Sequence, residues 1–421
     1  WINYLTNESY CAIISQCAGG YSFIGDCRTD RINRWAPENW HFDRPGRYIY
    51  LRDKDSGQAW SASYQPIRAP YKSFRSHHGL GYTRIEQEAN DVLSDVTYFV
   101  HKTENTEFWH VRLKNLSSKT KNLQVFPYME WLIGDYHMEL RYRNILNLYN
   151  RVHFDKKSSL IFGQKTASWG DLNIEPFKYV LYFGSTLPVE GHSTHKDSFL
   201  GRNNTEEKPE SVLNGQFKNW DLCTGEDSIG AFLHEISLSP GEEVKFTVVL
   251  GKETNQAKAQ KTFEKYKSIS AVEEALNDTK EFWKGRILNN IEVQTPDDDF
   301  NKIVNVWVKY QMYICNMWSR SPSFYHEGSG GRGYRDSCQD SEGIMSVDSQ
   351  MARKKLLTVA SLIRKDGSTA PGWSDTSGPA THRPNRDHPV WLTYTVAAYI
   401  KETGDKAILN KKVGYLRDKW I

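Results

Sequence analysis

Aromatic and β-branched segments recur through the first part of the chain and alternate with polar turns. The segments 48–52 (YIYLR), 96–101 (VTYFVH) and 108–113 (FWHVRL) have the composition of strands. Residues 231–251 (AFLHEISLSPGEEVKFTVVLG) predict a hairpin, because two alternating segments flank Ser-Pro-Gly-Glu. Many short strands with regular turns predict a large antiparallel β-sandwich over residues 1–254.

The pattern changes to helical spacing after residue 252. Ala, Lys, Glu and Leu recur over 257–287, so we expect a helical linker at 255–292. Segment 300–317 places five apolar residues on one helix face: Ile303, Val306, Trp307, Tyr310 and Ile314. Further helices are expected at 349–363, 389–402 and 406–418, with Pro389 in a first turn and Gly404 after a helix end. Residues 293–421 are therefore expected to form the first, incomplete part of a helical barrel.

Composition narrows the class of protein. A chain of 421 residues calls for more than one domain. Its charge is nearly balanced, at +3, and no basic block favours a nucleic acid or a membrane surface as partner. No apolar run approaches the roughly 18 residues that cross a bilayer. The six cysteines lack CxxC spacing, so we expect reduced thiols in a cytoplasmic protein and no zinc site.

The segment 319–340 (SRSPSFYHEGSGGRGYRDSCQD) holds the densest candidate chemistry. Three arginines (Arg320, Arg332 and Arg335) and two carboxylates (Glu327 and Asp336) surround a glycine run between two helical segments. Arginine forks and fixed carboxylates suit a polyol or an anion held at several points. A structural Arg–Asp network at a helix end is the alternative. The crowding beside glycines favours binding.

Other motifs in the chain are weaker. Residues 328–333 satisfy GxGxxG, but a dinucleotide site needs a strand before the glycines, whereas a helix is expected there. The histidines of HSTH (192–195) and of the pair His77–His78 lack a third ligand at a metal-site spacing, so surface or core roles are favoured. No GxSxG occurs, which disfavours a serine hydrolase.

The loop 382–388 (HRPNRDH) precedes a predicted helix and leaves two interpretations open. Asp387 is placed to cap that helix. Equally, Asp387 and His388 would line the same cleft as segment 319–340, because the loops at one end of a helical barrel converge.

Several segments together resemble one family. They are WINYL…CAIIS…AGGYSF, the run DRPGRYIYLRDKDSGQAWS (43–61), HHGLGYTRI (77–85), SRSPSFY…GRGYRDSCQD and DHPVWLTYTVAAYIKETGD. In this order they resemble the cellobiose/chitobiose phosphorylases, over nearly the whole chain. The resemblance implies an inverting glycoside phosphorylase with a β-sandwich, a helical linker and an (α/α)6 barrel. It also implies a homodimer, with phosphate and a β-linked disaccharide as substrates and no organic cofactor or metal.

The resemblance assigns roles residue by residue. Arg320 matches the phosphate-binding arginine, and Arg332 and Asp336 match the pair that holds the donor sugar. Fewer residues than usual separate Arg332 from the Arg-Asp pair, so Asp336 is the firmer match. We expect Arg335 to brace Asp336, and Asp387 and His388 to contribute to substrate binding.

One expected element is absent from these residues. The general acid of the family is the aspartate of a Trp-Asn-Asp motif, which does not occur in the sequence. We therefore expect the chain to be an N-terminal part of a phosphorylase, with its general acid beyond Ile421, and to be inactive by itself. A β-glycoside hydrolase on the same plan and a non-catalytic carbohydrate-binding protein remain the alternatives. The basic loop 382–388 favours an acceptor with a carboxylate, such as cellobionic acid, over cellobiose.

Overall fold

The computed structural model describes residues 1–35, 46–166, 177–323, 326, 328–376, 378–380 and 386–417. The chain divides into two compact units. The first comprises Trp1–Ile24 and Asp30–Lys280, and the second comprises Gly25–Thr29 and Glu281–Ile421. No helix in the described ranges combines the length and the apolar character that crossing a bilayer requires.

Eighteen strands among the described residues form two large sheets. They are β1 (Ile2–Thr6), β2 (Tyr10–Ser15), β3 (Ser22–Ile24), β4 (Asp26–Asn33), β5 (Tyr48–Asp53), β6 (Ala59–Ser61), β7 (Ser73–Gly79), β8 (Tyr82–Ala89), β9 (Val92–Val100), β10 (Thr106–Asn115), β11 (Lys121–Gly134), β12 (Asn150–Asp155), β13 (Leu160–Lys165), β14 (Val180–Ser185), β15 (Gly191–His195), β16 (Leu222–Thr224), β17 (Ser228–Leu238) and β18 (Glu243–Glu253). One sheet has the order β1-β2-β3-β4-β11-β17-β15, with β5 on β11 and β6 on β5. The other has the order β16-β12-β13-β14-β18-β10-β9-β8-β7.

Apolar side chains from both sheets meet in one core. Trp109 of β10 and Trp131 of β11 are fully buried in it. Phe183 of one sheet stacks on Phe232 of the other, with ring centroids 5.3 Å apart and ring planes 7° from parallel. Burial of each such ring contributes roughly 1.5–3 kcal/mol. This packing confirms the predicted antiparallel β-sandwich.

A buried ion pair crosses the inside of this sandwich. Glu107 of β10 and Arg47, which precedes β5, are 0% and 1% exposed and form a salt bridge. Glu107 also accepts hydrogen bonds from Trp109 Nε1 (2.8 Å) and from the hydroxyl of Tyr10 (3.1 Å). Arg47 Nη1 donates to the carbonyl of Ile13 at 3.1 Å. Both charged groups therefore have further hydrogen-bond partners besides each other, which a buried charge requires.

Strand prediction succeeded better than pairing prediction. Segments 48–52, 96–101 and 108–113 fall on β5, β9 and β10, apart from the last residue of the second segment. The predicted hairpin at 231–251 is wrong, although both of its strands exist. β17 pairs with β11 and β15, whereas β18 pairs with β10 and β14, so the turn between them joins two sheets. Each strand pairs on both sides with strands that are distant in the sequence, and local turn chemistry does not reveal those partners.

Helices complete the first unit. They are α1 (Tyr136–Asn147), α2 (Lys196–Leu200), α3 (Glu210–Asn214), α4 (Gln256–Lys265) and α5 (Ile269–Leu288), and the boundary between the units falls within α5. Phe263 of α4 and Val272 of α5 pack against Phe108 and Tyr182 on the outer face of the second sheet. Helices were predicted at 257–287, whereas α1 to α3 were not: α2 and α3 have only five residues each, and a non-helical residue, Tyr142, interrupts α1.

The described part of the second unit is mainly helical. Its elements are α6 (Asp298–Lys302), a π-helical segment (Ile303–Val308), α7 (Lys309–Trp318), β19 (Arg332–Gly333), α8 (Tyr334–Ile344), α9 (Ser349–Ala360), β20 (Gly372–Ser374), β21 (Gly378–Pro379), α10 (His388–Thr403) and a 3₁₀ helix (Lys406–Asn410). β19, β20 and β21 form a small antiparallel sheet. Trp283 of α5 packs edge-on against Tyr310 of α7, with centroids 5.0 Å apart.

Two helix predictions need correction, and one helix was missed. The π-helical segment interrupts 300–317, so Ile303 and Trp307 are 53% and 45% exposed whereas Ile314 is buried. A π turn changes the residue period, so one apolar face is not maintained. A helix was predicted at 406–418, but among its described residues, 406–417, only Lys406–Asn410 form a helix, which is 3₁₀; the N–H of Leu416 donates to the carbonyl of Ile363 (2.8 Å). α8 was not predicted, since its sequence is polar and begins without a side-chain cap.

Candidate functional site

The site begins where α7 ends. Trp318 is the last residue of α7, and Ser319 follows with φ 57° and ψ −142°. Residues other than glycine rarely adopt this backbone conformation, and they cluster at functional sites when they do. Arg320 comes next, and the sharp turn brings its guanidinium against α8.

Arg320 contacts two carboxylates on α8. Asp336 lies in the first turn of α8, and Asp340 lies one turn later on the same face. Arg320 Nη1 is 3.1 Å from Asp336 Oδ1, and Arg320 Nη2 is 3.3 Å from Asp340 Oδ1. The structure thus brings together the predicted phosphate-binding arginine and the predicted sugar-binding aspartate, and adds Asp340.

The two carboxylates differ in their access to water. The side chain of Asp336 is 36% exposed and that of Asp340 is 5% exposed, whereas Arg320 is 46% exposed. Burial raises the pKa of Asp340 to about 7, against the opposing effect of Arg320, and the nearby charge of Asp336 adds to the rise. Asp336 is therefore the carboxylate that a ligand can reach.

Arg332 is held more tightly than Arg320. Its side chain is 6% exposed, its Nε donates to the carbonyl of Met317 (2.8 Å), and its Nη2 lies 2.9 Å from Asp375 Oδ2. Its guanidinium carbon lies 4.6 Å from the ring centroid of Trp373 and 5.4 Å from that of Trp318. Cation–π contacts of this kind fix an arginine without neutralising it.

Lys355 of α9 joins the same cluster. Its Nζ lies 4.8 Å from the ring centroid of Trp373. Burial lowers the pKa of Lys355 to about 7, and the charge of Arg332 lowers it further against the effects of Asp375 and Asp340. The sequence did not single out Lys355, because two adjacent lysines, Lys354 and Lys355, are typical of an exposed helix face.

Arg335 and Asp387 contact each other. Arg335 Nη1 lies 3.6 Å from Asp387 Oδ2, and both side chains are about half exposed. The expectation that Arg335 braces Asp336 is wrong, because successive helical residues diverge around the axis. Arg320 takes that place. Asp387 precedes α10 but makes no side-chain capping bond, and its Oδ2 accepts from Trp391 Nε1 at 3.1 Å.

His388 is a buried residue rather than a surface one. It is 4% exposed, and its ring stacks on Tyr334 with centroids 5.4 Å apart and planes 13° from parallel. Burial lowers the pKa of His388, so the imidazole is neutral at pH 7. The rest of the predicted HRPNRDH loop up to residue 385, and Glu327, lie outside the described residues.

The glycine run lies against a segment from the start of the chain. The N–H of Gly331 donates to Asp26 Oδ2 at 2.9 Å. Gly330 has φ +77°, and a Cβ there would lie 2.7 Å from Asp26 Oδ1 and 2.6 Å from Arg28 Cβ. Burial acts to raise the pKa of Asp26, but the N–H of Gly331 and other donors lower it overall. Asp26 lies about 300 residues from this loop, and no sequence signal links the two.

Three of the four other histidine candidates, His78, His192 and His195, have local partners in the first unit. His192 Nε2 lies 2.5 Å from Asp221 Oδ1, and His195 Nε2 contacts the carboxylate of Glu226. His78 Nδ1 lies 3.0 Å from Thr83 Oγ1. These contacts lie within the first unit, and the absence of a metal role for these histidines stays a prediction.

The cluster in the second unit has the chemistry of an anion and polyol site. Two arginines and a lysine lie among three aspartates, and two indole rings flank the cations. Exposed carboxylates accept from sugar hydroxyls, and guanidinium groups bind phosphate or ring oxygens. A separate cavity of about 450 Å³ between α8 and α10 is lined by Gln339, Glu342, Val390, Trp391 and Tyr394.

Comparison with known proteins finds relatives that match almost the whole chain. The N,N'-diacetylchitobiose phosphorylase of Vibrio proteolyticus is 29% identical over 446 residues, covering 99% of this chain and 54% of that protein. The cellobionic acid phosphorylase of Neurospora crassa is 25% identical, covering 88% of this chain and 45% of that protein. The chain thus spans about half the length of the curated relatives it matches. These relatives confirm the resemblance to cellobiose/chitobiose phosphorylases.

A solved structure extends the comparison to the fold. The structure of a bacterial glucoamylase complexed with acarbose has a TM-score of 0.62 and 12% identity, covering 98% of this chain and 58% of that chain. At this identity the likeness concerns the fold alone, and it confirms the predicted class of an antiparallel sandwich followed by (α/α)6-type helices.

Two domain models of one protein family together match nearly the whole sequence. The glycosyl hydrolase 94 supersandwich domain matches residues 1–269, and the catalytic domain of the glycosyl hydrolase 94 superfamily matches residues 282–420. The chain belongs to the glycosyl hydrolase 94 family.

Proposed function

We propose that the protein is an inverting glycoside phosphorylase. It would cleave a β-linked disaccharide with inorganic phosphate and yield α-glucose 1-phosphate and a released sugar. The observation that carries the proposal is the half-exposed Arg320 beside the partly exposed carboxylate of Asp336 (3.1 Å). An anion ligand and a hydroxyl acceptor thus lie side by side, as attack by phosphate on a sugar carbon requires. Relatives named as disaccharide phosphorylases support the same chemistry.

Use of phosphate as the nucleophile would account for an arginine, Arg320, at this site. An inverting hydrolase needs a carboxylate base to activate water, together with an acid for the leaving group. A phosphorylase needs only the acid, because phosphate is already an anionic nucleophile. Arg320 would orient that nucleophile, and Asp340 would hold Arg320 from its buried side.

The donor sugar would lie against Asp336 and Arg332. Asp336 offers acceptor oxygens to the sugar hydroxyls. Arg332 is fixed by Met317, Asp375 and Trp373, so it would donate hydrogen bonds without reorganising. Trp373 is 9% exposed, which makes it a support for Arg332 and Lys355.

The proposal also covers which residues bind the acceptor sugar and which acceptor is preferred. Arg335 and Asp387 would bind substrate on the α10 side of the site, and the buried His388 would contribute from behind them, packed on Tyr334. Because HRPNRDH carries two arginines, an acceptor with a carboxylate such as cellobionic acid would be favoured over cellobiose. A relative named cellobionic acid phosphorylase supports this choice. We further propose a cytoplasmic homodimer without organic cofactor, which the family resemblance supports.

Phosphorus NMR on the protein expressed from the complete gene tests the reaction. With inorganic phosphate and cellobiose or cellobionic acid, we expect the signal of α-glucose 1-phosphate, growing faster with cellobionic acid. Sugar release without a phosphate ester would instead establish a hydrolase. No release from any β-linked disaccharide, combined with measurable sugar binding, would establish a carbohydrate-binding protein.

A matched pair of arginine variants tests the role of Arg320. Arg320→Gln should abolish formation of the phosphate ester. Arg353→Gln should retain it, because Arg353 pairs with Asp405 (3.0 Å) and takes no part in the proposed site. Equal loss in both variants would contradict a specific role for Arg320.

The 421-residue chain by itself is proposed to be inactive. It contains no Trp-Asn-Asp motif to supply the general acid. Turnover by this chain alone, measured in the same NMR assay, would contradict this part of the proposal and require another acid within these residues.

A further inference from the structure

Arg320 is held by one accessible carboxylate and one buried carboxylate. Asp336 is 36% exposed and Asp340 is 5% exposed, yet their distances to the guanidinium are nearly equal, at 3.1 and 3.3 Å. An anion that approaches from solvent therefore meets the contact with Asp336 first, whereas the contact with Asp340 is shielded from solvent.

Charged and titratable groups face Asp340 from every element packed around it. They are Arg320 after α7, Cys315 on α7, Asp336 and Cys338 on α8, and Lys355 on α9. Burial raises the pKa of Asp340 to about 7, so its ionised and protonated forms coexist at neutral pH. Burial also raises the pKa of both thiols above its ordinary value, so neither cysteine charges in this range.

We propose that Asp340 is a positioning residue for Arg320, and that the proton on Asp340 sets how strongly Arg320 binds phosphate or another oxyanion. This inference rests on the proposed function, since it requires Arg320 to be an anion ligand. Nothing in the family resemblance assigns a role to Asp340.

The sign of the coupling follows from charge. When Asp340 is ionised, two carboxylates compensate the one guanidinium, and an incoming dianion meets little net attraction. When Asp340 is protonated, its oxygen still accepts from Nη2, but the charge of Arg320 becomes available to the anion. An anion bound to Arg320 in turn favours the protonated form, so binding takes up a proton near pH 7.

Lys355 is the competing explanation. It lies in the same cluster, and burial lowers its pKa to about 7, so its loss of charge would also weaken anion binding as pH rises. His388 is separable, because burial lowers its pKa below that of an ordinary histidine and it titrates at more acidic pH. Variants at Asp340 and Lys355 therefore have to be compared directly.

Sulfate is the probe, because it remains a dianion across the range in which phosphate changes its own charge. Isothermal titration of the protein expressed from the complete gene with sulfate at pH 6 and pH 8 should show about tenfold weaker binding at pH 8, as one group with a pKa near 7 would give. At pH 7, titration in two buffers of different ionisation enthalpy should show proton uptake. Arg320→Gln should abolish binding.

Two substitutions separate the candidates. Asp340→Asn keeps the oxygen that faces Arg320 and should bind sulfate with less than a twofold difference between pH 6 and pH 8. Asp340→Glu should restore the pH dependence. Lys355→Gln should keep the tenfold dependence. Thermal unfolding of each variant identifies any that fails to fold. If Asp340→Asn fails to fold, Asp340→Glu replaces it as the test, and the midpoint of its pH dependence of sulfate binding should be shifted.

The outcomes distinguish this inference from the proposed function. A tenfold dependence that persists in Asp340→Asn and disappears in Lys355→Gln overturns the role of Asp340 and leaves the phosphate site intact. Sulfate binding that Arg320→Gln does not weaken overturns the phosphate site itself, and the role of Asp340 with it.

Discussion

Arg332 Nη2 lies 2.9 Å from Asp375 Oδ2, and the two side chains are 6% and 51% exposed. The pair therefore joins a buried cation to a carboxylate that water can solvate. Asp375 lies on the turn that follows β20, whereas Arg332 lies on β19, so the small sheet brings the two together. The asymmetry between the partners leads to unequal effects of substitution.

Substituting Arg332 should cost more stability than substituting Asp375. Arg332→Lys removes the fork that reaches both Met317 and Asp375, so we expect the free energy of unfolding to fall by about 1–3 kcal/mol. Asp375→Asn should cost less than Arg332→Lys, because asparagine keeps an oxygen that accepts from Arg332 Nη2 and Met317 still accepts from Arg332 Nε. Urea denaturation measures both, and equal losses would contradict this account.

The buried pair of Arg47 and Glu107 should be much more sensitive than a surface pair. Glu107→Gln leaves Arg47 charged and buried without its counterion, and we expect a loss of about 3–5 kcal/mol in the free energy of unfolding. Lys54→Ala, which breaks an exposed pair with Glu235 (42% and 44% exposed), should cost less than about 1 kcal/mol. Chemical denaturation of the two variants checks the contrast, which a loss under 1 kcal/mol for Glu107→Gln would refute.

Acid should destabilise the sandwich partly through His234. Its Nδ1–H donates to the carbonyl of Pro188 (2.7 Å), its Nε2 is buried without a hydrogen-bond partner among the described residues, and burial lowers its pKa to about 4. In the unfolded chain His234 takes up a proton near pH 6.5, whereas in the folded chain it does so only near pH 4. Stability is therefore full above pH 6.5 and falls as pH decreases to 4, by about 3 kcal/mol in total.

His234→Gln isolates this contribution. The variant should unfold with a shallower decrease in stability between pH 6.5 and 4, as measured by denaturation at a series of pH values. An unchanged slope would assign the acid sensitivity to other buried groups, such as His78, whose pKa burial also lowers to about 4.

Two glycines of the second unit should respond in opposite directions to alanine. Gly330→Ala combines a positive φ with contacts of 2.6–2.7 Å to Arg28 and Asp26, so we expect a loss of more than 1 kcal/mol. Gly343 lies inside α8 with nothing within 4 Å of its Cβ position. Gly343→Ala should stabilise the protein by about 0.5–1 kcal/mol. Thermal unfolding measures both, and a stable Gly330→Ala variant would contradict the close approach.

The sequence predicted which region carries the charged cluster but not which residues meet. Arg320, Arg332 and Asp336 stand out because arginines and carboxylates beside glycines are conspicuous in a short segment. Asp340 and Lys355 became visible only with α8 and α9 in place, since their relation to Arg320 depends on helical periodicity and on packing between helices. The binding roles of all these residues stay predictions.

Prediction of the fold had the same strengths and limits. Strand composition located β5, β9, β10, β17 and β18, because aromatic and β-branched residues mark a buried sheet surface. It did not locate partners, since β17 and β18 are neighbours in the chain but belong to different sheets. Long-range pairing depends on the complementarity of whole strands, which one segment does not display.

The contact between Asp26 and the glycine run has a consequence for how this protein can be divided. The second compact unit includes Gly25–Thr29, so it is not one uninterrupted length of chain. A gene fragment that begins at α5 would encode its helices but omit the carboxylate that receives the N–H of Gly331. Domain shuffling at that boundary would separate the glycine run from its support, so the sandwich and the helices are expected to be inherited together.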